Sequence, residues 1–94
     1  MKVLYFAWLR TRIGRGEEEI DPPAEVRTVG ELMLWLRGRG AGYAAAFAPG
    51  ASIRAAVDQD YVGPDHLVAG AREVAFFPPV TGGRTGSLTV RIGP

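Results

Sequence analysis

Few side chains in this sequence could act in catalysis or bind a metal, and their spacing does not match that of known sites. The 94 residues include no cysteine, which excludes disulfides and thiolate metal sites. The single histidine, His66, has no second histidine to share a metal, and we interpret it as a structural or exposed loop residue. Asp58, Asp60 and Asp65 lack the spacing and the terminal glutamate of a calcium-binding loop. The run Glu17–Glu19 could hold an acid–base pair, but consecutive carboxylates on a strand predict solvated side chains.

One stretch could instead do chemistry through its backbone. Glu73–Phe77 has strand propensity, Pro78 and Pro79 fix an extended course, and Gly82 and Gly83 follow without side chains. Such a glycine pair is commonly a loop before the next strand. The alternative is a narrow tail that threads into a partner's active site, where any Cβ would clash. Because the chain lacks catalytic side chains, the reactive group would then be a backbone carboxylate freed at Gly83.

The remaining patterns predict an α+β domain around this stretch. The apolar run at residues 3–8 is typical of a covered or central strand, and residues 17–20 predict an edge strand. Thr28 and Glu31 form a capping box before a helix that should run from residue 29 to about residue 39. We also expect helical turns at residues 9–13 and 43–47, a strand at 53–57, a turn at 58–60, and a short strand at 61–62.

Composition narrows the classes of protein to which the chain can belong. Ninety-four residues predict one domain, and a net charge of +1 gives no electrostatic case for binding nucleic acid or an anionic membrane. No apolar run approaches the length of a membrane span, and the apolar segment after Lys2 lacks a signal-peptide cleavage site. We therefore expect a cytoplasmic protein.

The sequence EVAFFPPVTGG, residues 73–83, resembles the C-terminal signature of the MoaD-type sulfur carriers, the small subunits of molybdopterin synthase. The opening VLYFAWLR, residues 3–10, is similar to the first strand of that family and the arginine after it. The resemblance covers residues 1–83 and implies a β-grasp (ubiquitin-like) fold. In that fold a mixed sheet of four to five strands packs on one main helix, with the first and last strands parallel in its centre. The Asp-Gly-Asp that the family carries before its last strand is missing, since Ala71 and Arg72 follow Gly70 here.

The resemblance implies a carrier without catalytic activity, with no metal and no permanently bound cofactor. A ubiquitin-activating-type enzyme would adenylate the Gly83 carboxylate with ATP and magnesium, and a sulfur donor would convert it to a thiocarboxylate. The large subunit of molybdopterin synthase would then take up the tail and pass the sulfur to a pyranopterin precursor of the molybdenum cofactor. Gly82 would share the narrow channel with Gly83.

Further residues are assigned to partner binding by the same resemblance. Arg10 would contact the large subunit or form a local salt bridge. Strand alternation places one of Phe76 and Phe77 inward, and the family analogy favours Phe77 as the outward one. The complete set implied for the sheet patch and the tail is Phe6, Arg10, Tyr61, Phe77, Pro78, Pro79, Val80 and Thr81.

Residues 84–94 depart from the family, in which the glycine pair ends the chain. They could be a pro-segment removed after Gly83, the start of a fused large subunit with a strand at residues 88–92, or a permanent extension. We favour the first two jointly, because the glycine pair is intact. Sulfur loading is impossible while the Gly83 carbonyl is in a peptide bond. The rival functions are sulfur donation to thiamine or tRNA thiolation, and a non-catalytic ubiquitin-like binding module.

Overall fold

A mixed sheet of five strands organises residues 1–79, the part of the chain that the computed structural model describes. The strands are β1 (Lys2–Tyr5), β2 (Glu17–Glu19), β3 (Arg54–Val57), β4 (Asp60–Val62) and β5 (Glu73–Phe77). Their order across the sheet is β2-β1-β5-β3-β4, with β1 and β5 parallel and all other neighbours antiparallel. The predicted parallel pair in the sheet centre and the predicted edge position of β2 are both confirmed. The predictions for Val80, Thr81, Gly82, Gly83 and residues 84–94 lie outside the described residues.

Helices cover one face of this sheet. They are α1 (Trp8–Ile13), α2 (Val29–Arg37) and α3 (Ala41–Ala46). The predicted capping box is present, since Thr28 Oγ1 accepts a hydrogen bond from Glu31 N at 3.1 Å and Glu31 Oε1 accepts one from Thr28 N at 3.2 Å. The main helix, α2, ends at Arg37 rather than near residue 39, because Gly38 has low helix propensity and its N–H donates to Trp35 O instead of continuing the α-helical pattern. Across residues 1–79, no helix is long and apolar enough to cross a membrane.

The hydrophobic core lies between the helices and the sheet. Alternate residues of β1 and β5 face α2, whose apolar stripe packs onto them. The largest fully buried side chains are Val3, Tyr5, Leu9, Val29, Leu32, Leu36, Val68, Val74 and Phe76. Full burial of one large apolar side chain stabilises the fold by about 1.5–3 kcal/mol. The core therefore fixes β5, the strand that leads to the C-terminal tail.

The first strand is shorter than predicted and ends at Tyr5 instead of residue 8. Phe6 N still donates to Phe76 O at 3.1 Å, but Ala7 then adopts a φ of 57°. A positive φ is unusual for a residue with a Cβ and turns the chain out of the extended direction. Trp8 consequently begins α1 rather than ending β1.

The hairpin of β3 and β4 also differs slightly from expectation. β3 begins at Arg54 rather than residue 53, and Asp60 belongs to β4 rather than to the turn. The turn consists of Asp58 and Gln59, which both have positive φ values of 48° and 74°. Positive φ at both central residues is the requirement of the tight turns whose twist matches a hairpin. Likewise, α3 begins at Ala41, two residues before the helical turn expected at residues 43–47.

The loop before β5 is held without the family's Asp-Gly-Asp sequence. Asp58 Oδ1 accepts hydrogen bonds from the backbone N–H groups of Arg72 and Glu73, both at 3.0 Å. Gly70 supplies a residue with a φ of 78° just upstream. The Asp58 carboxylate of the neighbouring hairpin therefore orders this loop and fixes the start of β5.

We predict that Gly42→Ala destabilises the fold. A Cβ at Gly42 would lie 2.5 Å from Arg12 O and 3.3 Å from Ile13 Cα, because α3 crosses α1 at this glycine. Overpacking against backbone should lower the free energy of unfolding by about 1–3 kcal/mol, measured from the midpoint of urea denaturation. Gly38→Ala is the control, since its Cβ would have a nearest contact of 3.6 Å. Equal midpoints for both variants would contradict the close approach of α1 and α3.

Candidate functional site

The sheet face opposite the helices carries a connected apolar surface. The strand registers place Leu4 beside Ala75, Ala75 beside Ala56, and Ala56 beside Tyr61, so that one row crosses four strands. The small side chains of Ala56 and Ala75 form the middle of the row and are each only 1% exposed, so the accessible area of this face lies mainly on Phe6 and Tyr61. We call this surface the open face; it consists of Leu4, Phe6, Ala56, Tyr61, Ala75 and Phe77.

The two phenylalanines of β5 point to opposite sides of the sheet. Phe76 is fully buried in the core, and Phe77 packs with Ala56 and Ala75 on the open face, which confirms the expected orientation. Phe77 is itself only 9% exposed, and its ring lies 5.5 Å from the ring of Tyr61. Tyr61 is 59% exposed and Phe6 is 36% exposed. The exposed aromatic area of the open face therefore belongs mainly to Tyr61 and Phe6, and the ring of Phe77 packs against that of Tyr61.

Arg10 lies beside the open face. Together with Phe6 and Leu4 it lines an open groove of about 860 Å³ along β1. Its side chain passes over Gly16, where an added Cβ would lie 3.3 Å from Arg10 Nε. Within residues 1–79 no carboxylate comes within ion-pair distance of Arg10. The local salt bridge, one of the two expected roles, is thus not formed in the described part of the chain.

The end of β5 opens onto a second groove. Arg54, Tyr61 and Phe77 line this space of about 450 Å³. Pro78 and Pro79 follow directly and are half-buried. The backbone that leads toward Gly83 therefore leaves the sheet next to the most exposed aromatic side chain of the open face.

The prediction that the acidic run is solvated is wrong for Glu18, whose side chain is 6% exposed. Its Oε2 accepts hydrogen bonds from the hydroxyls of Tyr5 and Tyr43, both at 2.7 Å. Its Oε1 lies 3.2 Å from Arg15 Nη1 and 3.5 Å from Arg39 Nη1. Glu18 therefore ties the edge strand β2 to β1, to α3 and to the segment between α2 and α3.

The electrostatics of this cluster argue against acid–base catalysis. Burial acts to raise the pKa of Glu18, but hydrogen bonds from Tyr43 and Tyr5 and the charges of Arg39 and Arg15 outweigh it and leave the pKa below its ordinary value. Burial and the hydrogen bond to Glu18 raise the pKa of both tyrosine hydroxyls. A general acid or base works best with a pKa near the operating pH. We interpret the cluster as a structural clamp.

Sequence reasoning missed the alanines of the open face and the burial of Glu18. Both follow from the period of two along a strand. That period places Ala75 on the same face as Phe77, and it places Glu18 on the face opposite to Glu17 and Glu19. The identity of the partners of Glu18 had no local signal, because Tyr43 lies 25 residues away along the chain.

Comparisons with known proteins agree with this architecture. A family model, that of the ThiS family, matches residues 3–83. The molybdopterin synthase sulfur carrier subunit of Escherichia coli (strain K12) is 40% identical over 83 residues, which cover 88% of this chain and 99% of that protein. The crystal structure of SAMP1 from Haloferax volcanii superimposes with a TM-score of 0.64 at 24% identity, over 88% of this chain and 98% of that one.

The chain belongs to the ThiS family. It is similar to the sulfur carrier subunit of a molybdopterin synthase, as the tail signature and the opening strand indicated. The likeness to SAMP1 supports the β-grasp fold alone, and that fold prediction is confirmed by the five-stranded mixed sheet with helices on one face.

We predict that Glu18→Gln destabilises the fold at pH 7 by about 1–3 kcal/mol, because charge-assisted hydrogen bonds are lost. The folded-state pKa of Glu18 is lowered, so its stabilisation is complete above the ordinary carboxyl pKa and is lost as the pH falls through the lowered value. The difference between the native and variant proteins should therefore shrink from about pH 5 downward in urea denaturation series. Glu17→Gln, at an exposed position of the same strand, is the control. A constant difference down to pH 2 would contradict the clamp.

Proposed function

We propose that this chain carries sulfur as a thiocarboxylate on Gly83 and delivers it to the large subunit of a molybdopterin synthase. The observation that carries the proposal is its similarity, over 83 residues, to a sulfur carrier subunit of that enzyme. The family match ends at Gly83, the second residue of the glycine pair. The chain would be a non-catalytic subunit with no permanently bound cofactor, and its partners would supply the chemistry.

The proposed chemistry follows from the poor reactivity of a carboxylate. An adenylating enzyme of the ubiquitin-activating type would join the Gly83 carboxylate to the AMP part of ATP, with magnesium, and release pyrophosphate. A sulfur donor would then displace AMP and leave a thiocarboxylate, which is a competent sulfur nucleophile toward a pyranopterin precursor. This sequence requires a free carboxylate, so the peptide bond between Gly83 and Arg84 must first be hydrolysed.

The geometry of the described residues suits a rigid body with a reactive tail. The buried Val74 and Phe76 anchor β5, and Pro78 and Pro79 follow it. From Pro79 to Gly83 the chain can extend at most about 14 Å, which is enough to enter a neighbouring active site while the sheet stays docked outside. In this proposal the ATP and magnesium belong to the activating enzyme, not to the carrier.

The open face is the surface we propose for docking on the large subunit. Tyr61 and Phe6 expose aromatic area beside Arg10, whose guanidinium meets no carboxylate among residues 1–79. Aromatic and arginine side chains are the residues most enriched at energetically important positions of interfaces. An acidic side chain of the partner would form a salt bridge with the Arg10 guanidinium.

Loading tests the proposal directly. A chain ending at Gly83, the same chain with Gly83→Ala, and the 94-residue chain would each be incubated with the adenylating enzyme, magnesium-ATP and a sulfide source. We expect the oxygen-to-sulfur mass increase only in the chain ending at Gly83, since an added Cβ would clash in a narrow channel. Gly63→Ala controls for the substitution itself, because a Cβ there meets no atom within 4 Å. Equal loading of the Gly83→Ala chain would contradict a fitted channel.

The acceptor separates this pathway from its rivals. The loaded carrier, mixed with the large subunit and a pyranopterin precursor, should yield a dithiolene product. Transfer only to a thiamine precursor or to tRNA would instead assign the carrier to another thiolation pathway, and no loading of any chain would favour a binding module.

We predict that Tyr61→Ser weakens binding to the large subunit. Loss of an exposed aromatic anchor should raise the dissociation constant about tenfold or more, measured by calorimetry. The matched control is Leu34→Ser on α2, because Leu34 is 62% exposed but lies on the helical side. If the Leu34 variant lost as much affinity as the Tyr61 variant, docking through the open face would be wrong.

A further inference from the structure

The sequence is nearly free of amine and thiol side chains, the groups that an activated carboxyl group acylates most readily. Its 11 basic residues are ten arginines and one lysine, Lys2, and it has no cysteine. Amines and thiols attack activated acyl groups when deprotonated, whereas the arginine guanidinium stays protonated and unreactive. The chain therefore offers two amines, the Lys2 side chain and the N-terminal amine of Met1.

Both amines lie at the same end of the sheet. Lys2 is paired with Glu19 of β2 and with Glu73, the first residue of β5. The Met1 amine lies 3.4 Å from Glu19 Oε1. The chain leaves β5 at its other end, after Phe77. At about 3.3 Å per residue, the four steps from Glu73 to Phe77 separate the two ends by about 13 Å.

We propose that this placement keeps an activated Gly83 carboxyl group from reacting with its own chain, and so reserves it for an external sulfur nucleophile. The inference rests on the proposed function, in which Gly83 is activated. Gly83 could meet Lys2 only if the chain folded back along β5 within the six residues that follow Phe77. Pro78 and Pro79 oppose such a reversal, because each fixes φ and favours an extended course.

The reaction that is avoided is an internal acylation. An amine nitrogen would attack the Gly83 carbonyl carbon, a C–N bond would form, the bond from carbon to the leaving group would break, and the nitrogen would lose a proton. The product is a lactam that no longer carries a reactive carboxyl group. No oxidant or reductant takes part, so an activated acyl group and a deprotonated amine are sufficient.

The sheet provides a matched pair of positions for a test. Arg54 is paired with Phe77 and lines the groove at the end of β5 where the tail leaves. Arg72 lies at the opposite end of β5, where its carbonyl oxygen accepts a hydrogen bond from Lys2 N at 2.9 Å. Both arginines are exposed. Arg54→Lys and Arg72→Lys each keep the charge and add one amine, at the two ends of the same strand.

The experiment uses residues 1–83, which contain every described strand and helix, prepared with Gly83 as a C-terminal thioester. The thioester replaces the acyl adenylate and needs no activating enzyme. Circular dichroism verifies the fold, and intact mass is followed at pH 8. We expect the thioester of the unmodified chain to hydrolyse to the free acid. The thioester of Arg54→Lys should instead form a lactam, whose mass is lower than that of its free acid by one water. Arg72→Lys should form it about tenfold more slowly or not at all, since effective concentration depends on reach.

Two results would overturn the inference. A lactam in the unmodified chain or in Arg72→Lys, formed as fast as in Arg54→Lys, would show that distance does not protect the carboxyl group. Absence of a lactam from all three chains would show that the position of the amines is not what protects it. The thioester is made chemically, so either result is independent of whether cells process or adenylate the chain, which the loading assay addresses separately.

Discussion

The parallel pairing of β1 with β5 is the constraint on which the rest of the structure depends. It places the strand that precedes the tail in the middle of the sheet, hydrogen-bonded on both sides. A strand held in this way can bury Val74 and Phe76 on one face and present Phe77 on the other. The central position of β5 therefore contributes to the stability of the fold and also sets the direction in which the chain leaves the sheet.

The same constraint explains how a small domain can combine a packed core with exposed aromatic side chains on the opposite sheet face. Helices cover one face, and the other keeps an apolar row whose centre is formed by Ala56 and Ala75. The edge strand β2 has only three residues, and the buried Glu18 compensates by bonding to Tyr5 and Tyr43. Polar groups therefore secure the edge, while Phe6 and Tyr61 keep aromatic area exposed on the face opposite the helices.

Much of the fold could be predicted from local patterns. The capping box gave the start of α2, and the alternation of Phe76 and Phe77 gave their two faces. The end of β1 could not be predicted, because the turn at Ala7 opposes the β propensity of the residues around it. The period of two along β2 places Glu18 on the face opposite to Glu17 and Glu19, but its partners Tyr43 and Arg39 come from distant segments, which no local pattern encodes. The residues expected to bind a partner were assigned by resemblance, and the structure adds that Tyr61 is more exposed than Phe77.

The intact mass of this protein isolated from its own cells is the most direct test of sulfur carriage on Gly83. If the chain is a sulfur carrier, we expect a species that ends at Gly83. A fraction of these molecules should be heavier because one oxygen atom has been replaced by sulfur. Detection of the complete 94-residue chain alone, unchanged after incubation with host extract, would contradict it. In that case Gly83 would remain in a peptide bond, and the fold would serve binding without sulfur transfer.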